Sequence, residues 1–151
     1  MGEFTEAGRR LIEGAKAGLY QTGIDIMFLS QIEVPVDTGT LKGSARVNEP
    51  EEYVDRVVCT IGYGYGEEIN PKTGERAIQY ALPVHEILEA SHKPPTKAKF
   101  LEDPALAYEG AFEKTMAVWM SRAFKAEGDL VHFFELVKEP SPIVGGLEGV
   151  E

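Results

Sequence analysis

Histidine and carboxylate side chains close together in a chain are the first place to look for chemistry, and here there is one such pair, His85-Glu86. On a strand, adjacent residues point to opposite faces, and neither a His-x-x-x-His nor a His-Glu-x-x-His spacing occurs around them. A metal ion would need ligands from separate elements. Asp37 and Glu86 are the carboxylates that acid–base chemistry would pair, yet nothing in their spacing requires it and Asp37 already has a turn to cap. Ser44, Ser91 and Ser121 lack the Gly-x-Ser-x-Gly setting of an activated nucleophile. The single cysteine, Cys59, rules out an internal disulfide and a cysteine-based zinc site, and its apolar surroundings read as core. Gly62, Gly64 and Gly66 alternate with Tyr63 and Tyr65, but no helix opens there, so they read as a strand end with two exposed tyrosines rather than a phosphate loop. His92 falls in a polar loop, and His132 lies off the apolar side of a short helix. The sequence thus predicts no catalytic residues, no cofactor and no metal, and a protein that is not an enzyme.

The elements around these residues follow from apolar period and turn chemistry. Residues 4–33 have a helical pattern, with Phe4, Leu11, Ala15, Leu19, Thr22, Ile26, Leu29 and Glu33 on one face. Gly8, Gly14, Gly18 and Gly23 each weaken that helix by roughly 1 kcal/mol, so packing must hold it. Gly14 and Gly18 suit the close approach of another backbone; a kink at Gly23 is the alternative, and is preferred. Pro35 ends the helix by pushing Val34 out of helical geometry. Asp37 caps a tight turn or a short helical turn, Gly39 tolerates positive φ, and Leu41 anchors the corner in the core.

After that corner the pattern turns strand-like. Residues 45–48 form a short strand, 49–52 an acidic turn, and 53–63 a strand with Val57, Cys59, Ile61 and Tyr63 on one side. A long loop tipped by Asn70-Pro71-Lys72-Thr73-Gly74 leads to a strand over 76–84, where Pro83 implies a sheet edge. A basic, proline-rich loop over 93–99 ends at Phe100-Leu101. Asp103 then caps a helix from Pro104 to about Ala126, with Ala105, Tyr108, Phe112, Met116, Trp119 and Ala123 on one face. Gly128 stops it, and Asp129 caps a short helix over 130–138 with Leu130, Phe133, Phe134 and Val137 inward. The fold class is α+β: a long N-terminal helix and a second long helix on a small, mainly antiparallel β-sheet with long loops. One domain covers residues 1–138, with a flexible tail over 139–151.

Composition narrows the function. The 151 residues are 43% apolar and 26% charged, within the globular range, and carry a formal charge of −10. Such a balance argues against a stand-alone nucleic-acid binder. The charge is uneven, with 5 Lys/Arg against 6 Asp/Glu in residues 1–48 and 10 against 19 thereafter. No apolar run approaches membrane-spanning length, and the chain reads as soluble in a reducing cytoplasm. A glycine-weakened helix, an edge strand and a basic loop are the parts of a subunit completed by assembly.

Two blocks carry a resemblance. Val34-Pro35-Val36-Asp37-Thr38-Gly39-Thr40-Leu41-Lys42-Gly43-Ser44 resembles a Pro-Val-Asp-Thr-Gly block that follows the first helix in the HK97 gp10-like family of tailed-bacteriophage neck, head–tail joining or tail-completion proteins. Tyr80-Ala81-Leu82-Pro83-Val84-His85-Glu86, followed by Lys97-Ala98-Lys99-Phe100-Leu101-Glu102-Asp103-Pro104-Ala105, is similar to a second block of that family. The resemblance spans about residues 5–125. It implies a structural virion protein, assembled in the host cytoplasm, that forms a hexameric or dodecameric ring. That ring would bind the head connector or adaptor on one side and the tail tube or terminator on the other. DNA would pass through its lumen without specific binding, and no membrane is involved. Pro35, Asp37, Thr38, Gly39 and Leu41 would fix the fold. Tyr80, Ala81, Val84, His85, Glu86, Lys97, Lys99, Phe100 and Leu101 would lie at subunit or partner contacts. A tail-terminator or minor capsid subunit is the nearer alternative, and a small cytoplasmic α+β enzyme or ligand-binding domain the more remote one.

Overall fold

The computed structural model describes residues 5–34, 40–64 and 100–146. It is an α+β fold with helix α1, Glu6–Glu33, at its centre. The Thr5 hydroxyl accepts from the Gly8 amide at 3.0 Å and satisfies one of the donors left open at the helix start. At the other end Val34 is extended, as the following proline requires.

The face that α1 buries differs from the one expected. Among the described residues of the predicted seam only Thr22 and Leu29 are buried, and Leu11 is 43% exposed; Phe4 lies outside the described residues. The buried surface instead includes Gly14, Ala17, Gly18, Gln21 and Asp25, a row of small and polar residues. Its partner is helix α4, Phe112–Lys125, which runs antiparallel to it: Gly14 meets Met120 and Ala123, and Gly18 meets Met116. A Cβ on Gly14 would stand 2.7 Å from the Met120 Cα, and one on Gly18 2.6 Å from the Met116 sulfur. These glycines therefore serve close approach, and α1 is assigned as helix straight through Gly23. The Gly23 side packs on Val47, Cys59 and Ile61. Gly14 and Gly23 are nine residues apart, about 180° around a helix, so α4 and the strands cover opposite sides of α1.

The short helix α2, Thr40–Gly43, leads into β1, Arg46–Val47. Then come β2, Glu51–Glu52, β3, Val57–Val58, and β4, Ile61–Gly62. β1 pairs antiparallel with β4, and β2 with β3. The registers Val47↔Ile61 and Glu51↔Val58 differ by one, because three residues on the first side face two on the second. The extra residue falls beside Pro50, which has no amide to give a ladder; a bulge there is the expected remedy. The expected turn and the first residues of the strand expected over 53–63 are thus exchanged, while Val57-Val58 and Ile61-Gly62 are strands as expected. Glu51-Glu52 pairs, and the turn is Tyr53–Arg56, closed by the Tyr53 amide on the Arg56 carbonyl at 2.7 Å. Among the described residues the strands are two residues long and lie against α1, while the two long helices pack chiefly on one another. The predicted strand over 76–84 lies outside the described residues.

Helix α3, Glu102–Tyr108, begins with Leu101 at its N-cap, so Asp103 lies within the first turn rather than capping it. Pro104 is tolerated there because first-turn amides have no helical acceptor. A 3-10 turn over Glu109–Ala111 separates α3 from α4, so the single helix expected over 104–126 is divided. Tyr108, Trp119 and Ala123 of the predicted face are buried, with Thr115 beside them, while Ala105 and Phe112 face outward. Beyond α4, Gly128 takes φ +85° and the Asp129 carboxylate accepts from the Val131 amide at 2.9 Å. The predicted helix over 130–138 is only a 3-10 turn, Phe133–Leu136. Its expected apolar set is nonetheless buried: Leu130, Phe133, Phe134 and Val137 pack with Ala17, Trp119 and Ala123. The expected tail is also corrected over 139–146. Pro142–Gly146 forms a 3-10 turn and Val144 is buried with Leu29 and Tyr108.

Candidate functional site

The corner after α1 and the segment that opens α3 meet in space where they are described. Leu41, 4% exposed, packs with Val34 and with Phe100, which is 1% exposed. The Tyr63 ring stands edge-on to Phe100 with centroids 5.1 Å apart. Its hydroxyl bonds Ser30 at 2.7 Å and Gln31 at 3.1 Å, so Tyr63 is not the exposed ring expected of it. Burial pushes that hydroxyl up to about 12. Ser44, fully buried, donates to the Leu41 carbonyl at 2.6 Å and accepts from the Gly64 amide at 2.9 Å. The hydroxyl therefore ties the corner after α1 to the end of the strands. Leu41 anchors the corner as predicted. Phe100 does not serve as a contact surface, because the chain's own corner encloses it; Leu101 is half-buried against the same cluster. Pro35, Asp37, Thr38 and Gly39 lie outside the described residues, as do Tyr80, Ala81, Val84, His85, Glu86, Lys97 and Lys99.

A buried polar cluster, unforeseen in the sequence, lies on the other side of α1. Asp25 is fully buried and takes four hydrogen bonds. One oxygen accepts from Gln21 Nε2 and the Ser141 amide, both at 2.8 Å. The other accepts from the Tyr108 hydroxyl at 2.5 Å and the Ser141 hydroxyl at 2.6 Å. Tyr108 also bonds Thr115 at 2.6 Å. Burial first, and then the bond to Asp25, raise the Tyr108 hydroxyl well above the ordinary tyrosine range. A carboxylate has about four acceptor positions, and here all are filled by the protein's own donors. Such a group holds three segments together and has no lone pair left to take a substrate proton. The signal was Asp25 itself, one turn after Gln21 on a face bearing Ala17 and Leu29.

Above this cluster lies a groove of about 680 Å³ between α4 and residues 138–143. Trp119, Val118, Leu136 and Ile143 give it apolar walls, and Lys114, Arg122 and Lys138 stand around it. The Arg122 guanidinium lies 4.7 Å from the centre of the Trp119 indole ring. Among the described residues no three His, Cys, Asp or Glu side chains are grouped to hold a metal. His132 is exposed with φ +66°, 3.7 Å from Glu135. Cys59 donates to the Asn48 carbonyl, and burial pushes its thiol up to about 11, far from a nucleophile's range. No described helix is long and apolar enough to cross a membrane.

No family model, curated protein or solved structure matches this chain.

Proposed function

We propose that this chain is a structural subunit of a tailed-phage virion, a ring-forming neck or tail-completion protein between the head connector and the tail. The observation that carries the proposal is the meeting of the two family-like blocks: Leu41 of the first and Phe100 of the second share one buried cluster with Val34. Two short segments about sixty residues apart in the chain have no reason to share a pattern with one family unless they build one corner together. A surface rich in uncovered apolar side chains also supports the reading. Leu106 and Leu136 are 60% and 62% exposed and Val54 83%, surfaces suited to contacts between subunits. The acidic second half of the chain suits a lumen that DNA must cross without adhering, since attraction to phosphates would slow its passage.

The test is co-expression with the connector and tail-tube proteins of a tailed phage that carries this chain, followed by electron microscopy of the purified complexes. A ring of this protein seated on the connector or the tube is the expected result. Finding it among capsid subunits, or in no particle at all, overturns the reading.

A further inference from the structure

We propose that copies of this chain join head to tail, the acidic hairpin turn of one seated in the basic groove beside Trp119 of the next. The inference rests on the assembly reading and assigns it a contact. The hairpin tip is an unusual surface for a single chain. Val54 is 83% exposed at the turn and Tyr53 46%, flanked by Glu49, Glu51, Glu52 and Asp55 against one cation, Arg56. Glu52 is bound inward by Arg9 at 2.7 Å, and Asp55 pairs with Arg56 at 3.0 Å at the exposed surface; Glu49 and Glu51 face outward, Glu51 accepting from the Tyr53 hydroxyl at 2.8 Å.

The groove is its complement in charge and character. In a chain of net charge −10 it gathers Lys114, Arg122 and Lys138 against one acid, Glu139, around an apolar floor containing Trp119. Stacking on the indole holds the Arg122 guanidinium over that floor. An apolar side chain beside outward carboxylates is the occupant this surface fits, and Val54, on a hairpin that carries Glu49 and Glu51, is one. The hairpin cannot fill the groove of its own chain, because the strands lie against the Gly23 side of α1 while α4 lies against the Gly14 side. Two unlike surfaces on opposite sides of a subunit make a heterologous contact, the kind that closes into rings.

Charge exchange tests the pairing. Glu49→Lys with Glu51→Lys forms the hairpin variant, Lys114→Glu with Arg122→Glu the groove variant, and a third chain carries all four. All four side chains are exposed, and circular dichroism with Trp119 fluorescence verifies folding. Self-association is read by sedimentation velocity over a range of protein and salt concentrations. Each two-residue variant is expected to weaken association by about tenfold or more, and the four-residue chain to return to within about threefold of the original. Association unaffected by either reversal overturns the docking and leaves the assembly reading standing. Weakening without recovery in the four-residue chain also overturns it, since the two charge sets then do not meet. A chain that stays single at every concentration removes the docking; the assembly reading falls only if the protein is also missing from particles.

Discussion

Replacing Gly14 by alanine sets two opposed effects against each other, and the structure decides which wins. In an isolated helix the change stabilises by about 1 kcal/mol. Here the new methyl would stand 2.7 Å from the Met120 Cα, 3.0 Å from the Ala123 Cβ and 3.2 Å from the Trp119 carbonyl oxygen. Two of those neighbours are backbone atoms, so relief requires α4 to move as a body. Overpacking of this kind costs about 1–3 kcal/mol, and a backbone obstacle belongs at the upper end. The net expectation for Gly14→Ala is a loss of about 1–2 kcal/mol. Gly110→Ala supplies the opposite sign. Nothing lies within 4 Å of its added methyl and its φ is not positive, so a gain of about 0.4–1 kcal/mol is expected. Urea unfolding at one fixed protein concentration reads both, with Trp119, the only tryptophan, as the reporter in the α1–α4 core. If Gly14→Ala raises the midpoint as Gly110→Ala does, the close approach of α1 and α4 is wrong.

Three further outcomes follow from the polar contacts. Ser141→Ala removes a hydroxyl bond to the buried Asp25 carboxylate and should cost about 1–3 kcal/mol in the same unfolding experiment; no change would mean that residues 139–146 are a free tail after all. The Tyr63 hydroxyl, raised by burial to about 12, ionises later in the fold than in the unfolded chain. Stability should therefore hold below pH 10 and fall as pH rises towards 12, with Tyr108 adding in the same direction; Tyr63→Phe should make that fall shallower, and an unchanged alkaline slope would contradict it. Cys59 is half-buried rather than in the core, and its alkylation at pH 8 should run about a hundredfold slower in the folded protein than in denaturant, read by mass spectrometry; equal rates would refute the shielding of its thiol.

Punctuation was the most legible part of the chain. Pro35 and Gly128 mark the ends of α1 and α4 through chemistry that needs no partner, and Leu41 was visible as the only large apolar residue in its corner; the Thr5 cap was missed, since the helical pattern starts at residue 4. The faces of the helices were less so. Periodicity ranks residues by hydrophobicity, whereas α1 packs through Gly14, Ala17 and Gly18, where small size decides how near a second helix can come. In the second helical run Tyr108, Trp119 and Ala123 are buried as read; the 3-10 turn at Glu109–Ala111 that divides it, and the burial of Thr115 in place of Phe112, were not legible. Strand pairing was misread because Glu51-Glu52 looked like a turn; a two-stranded ribbon with its outer side in solvent accepts carboxylates that a buried sheet would not. The Asp25 cluster depends on Ser141, 116 residues away, and no local pattern announces a bond of that span. The adjacent pair His85-Glu86 lies outside the described residues.

The central claim is that this protein works by building a ring with its own copies. Native mass spectrometry of the purified chain, alone and after mixing with the connector protein, tests that most directly. The expected spectrum shows one closed assembly whose mass is a whole multiple of the 16.6 kDa chain, with six or twelve copies. A single-chain mass in both samples, across the whole concentration range, would contradict it.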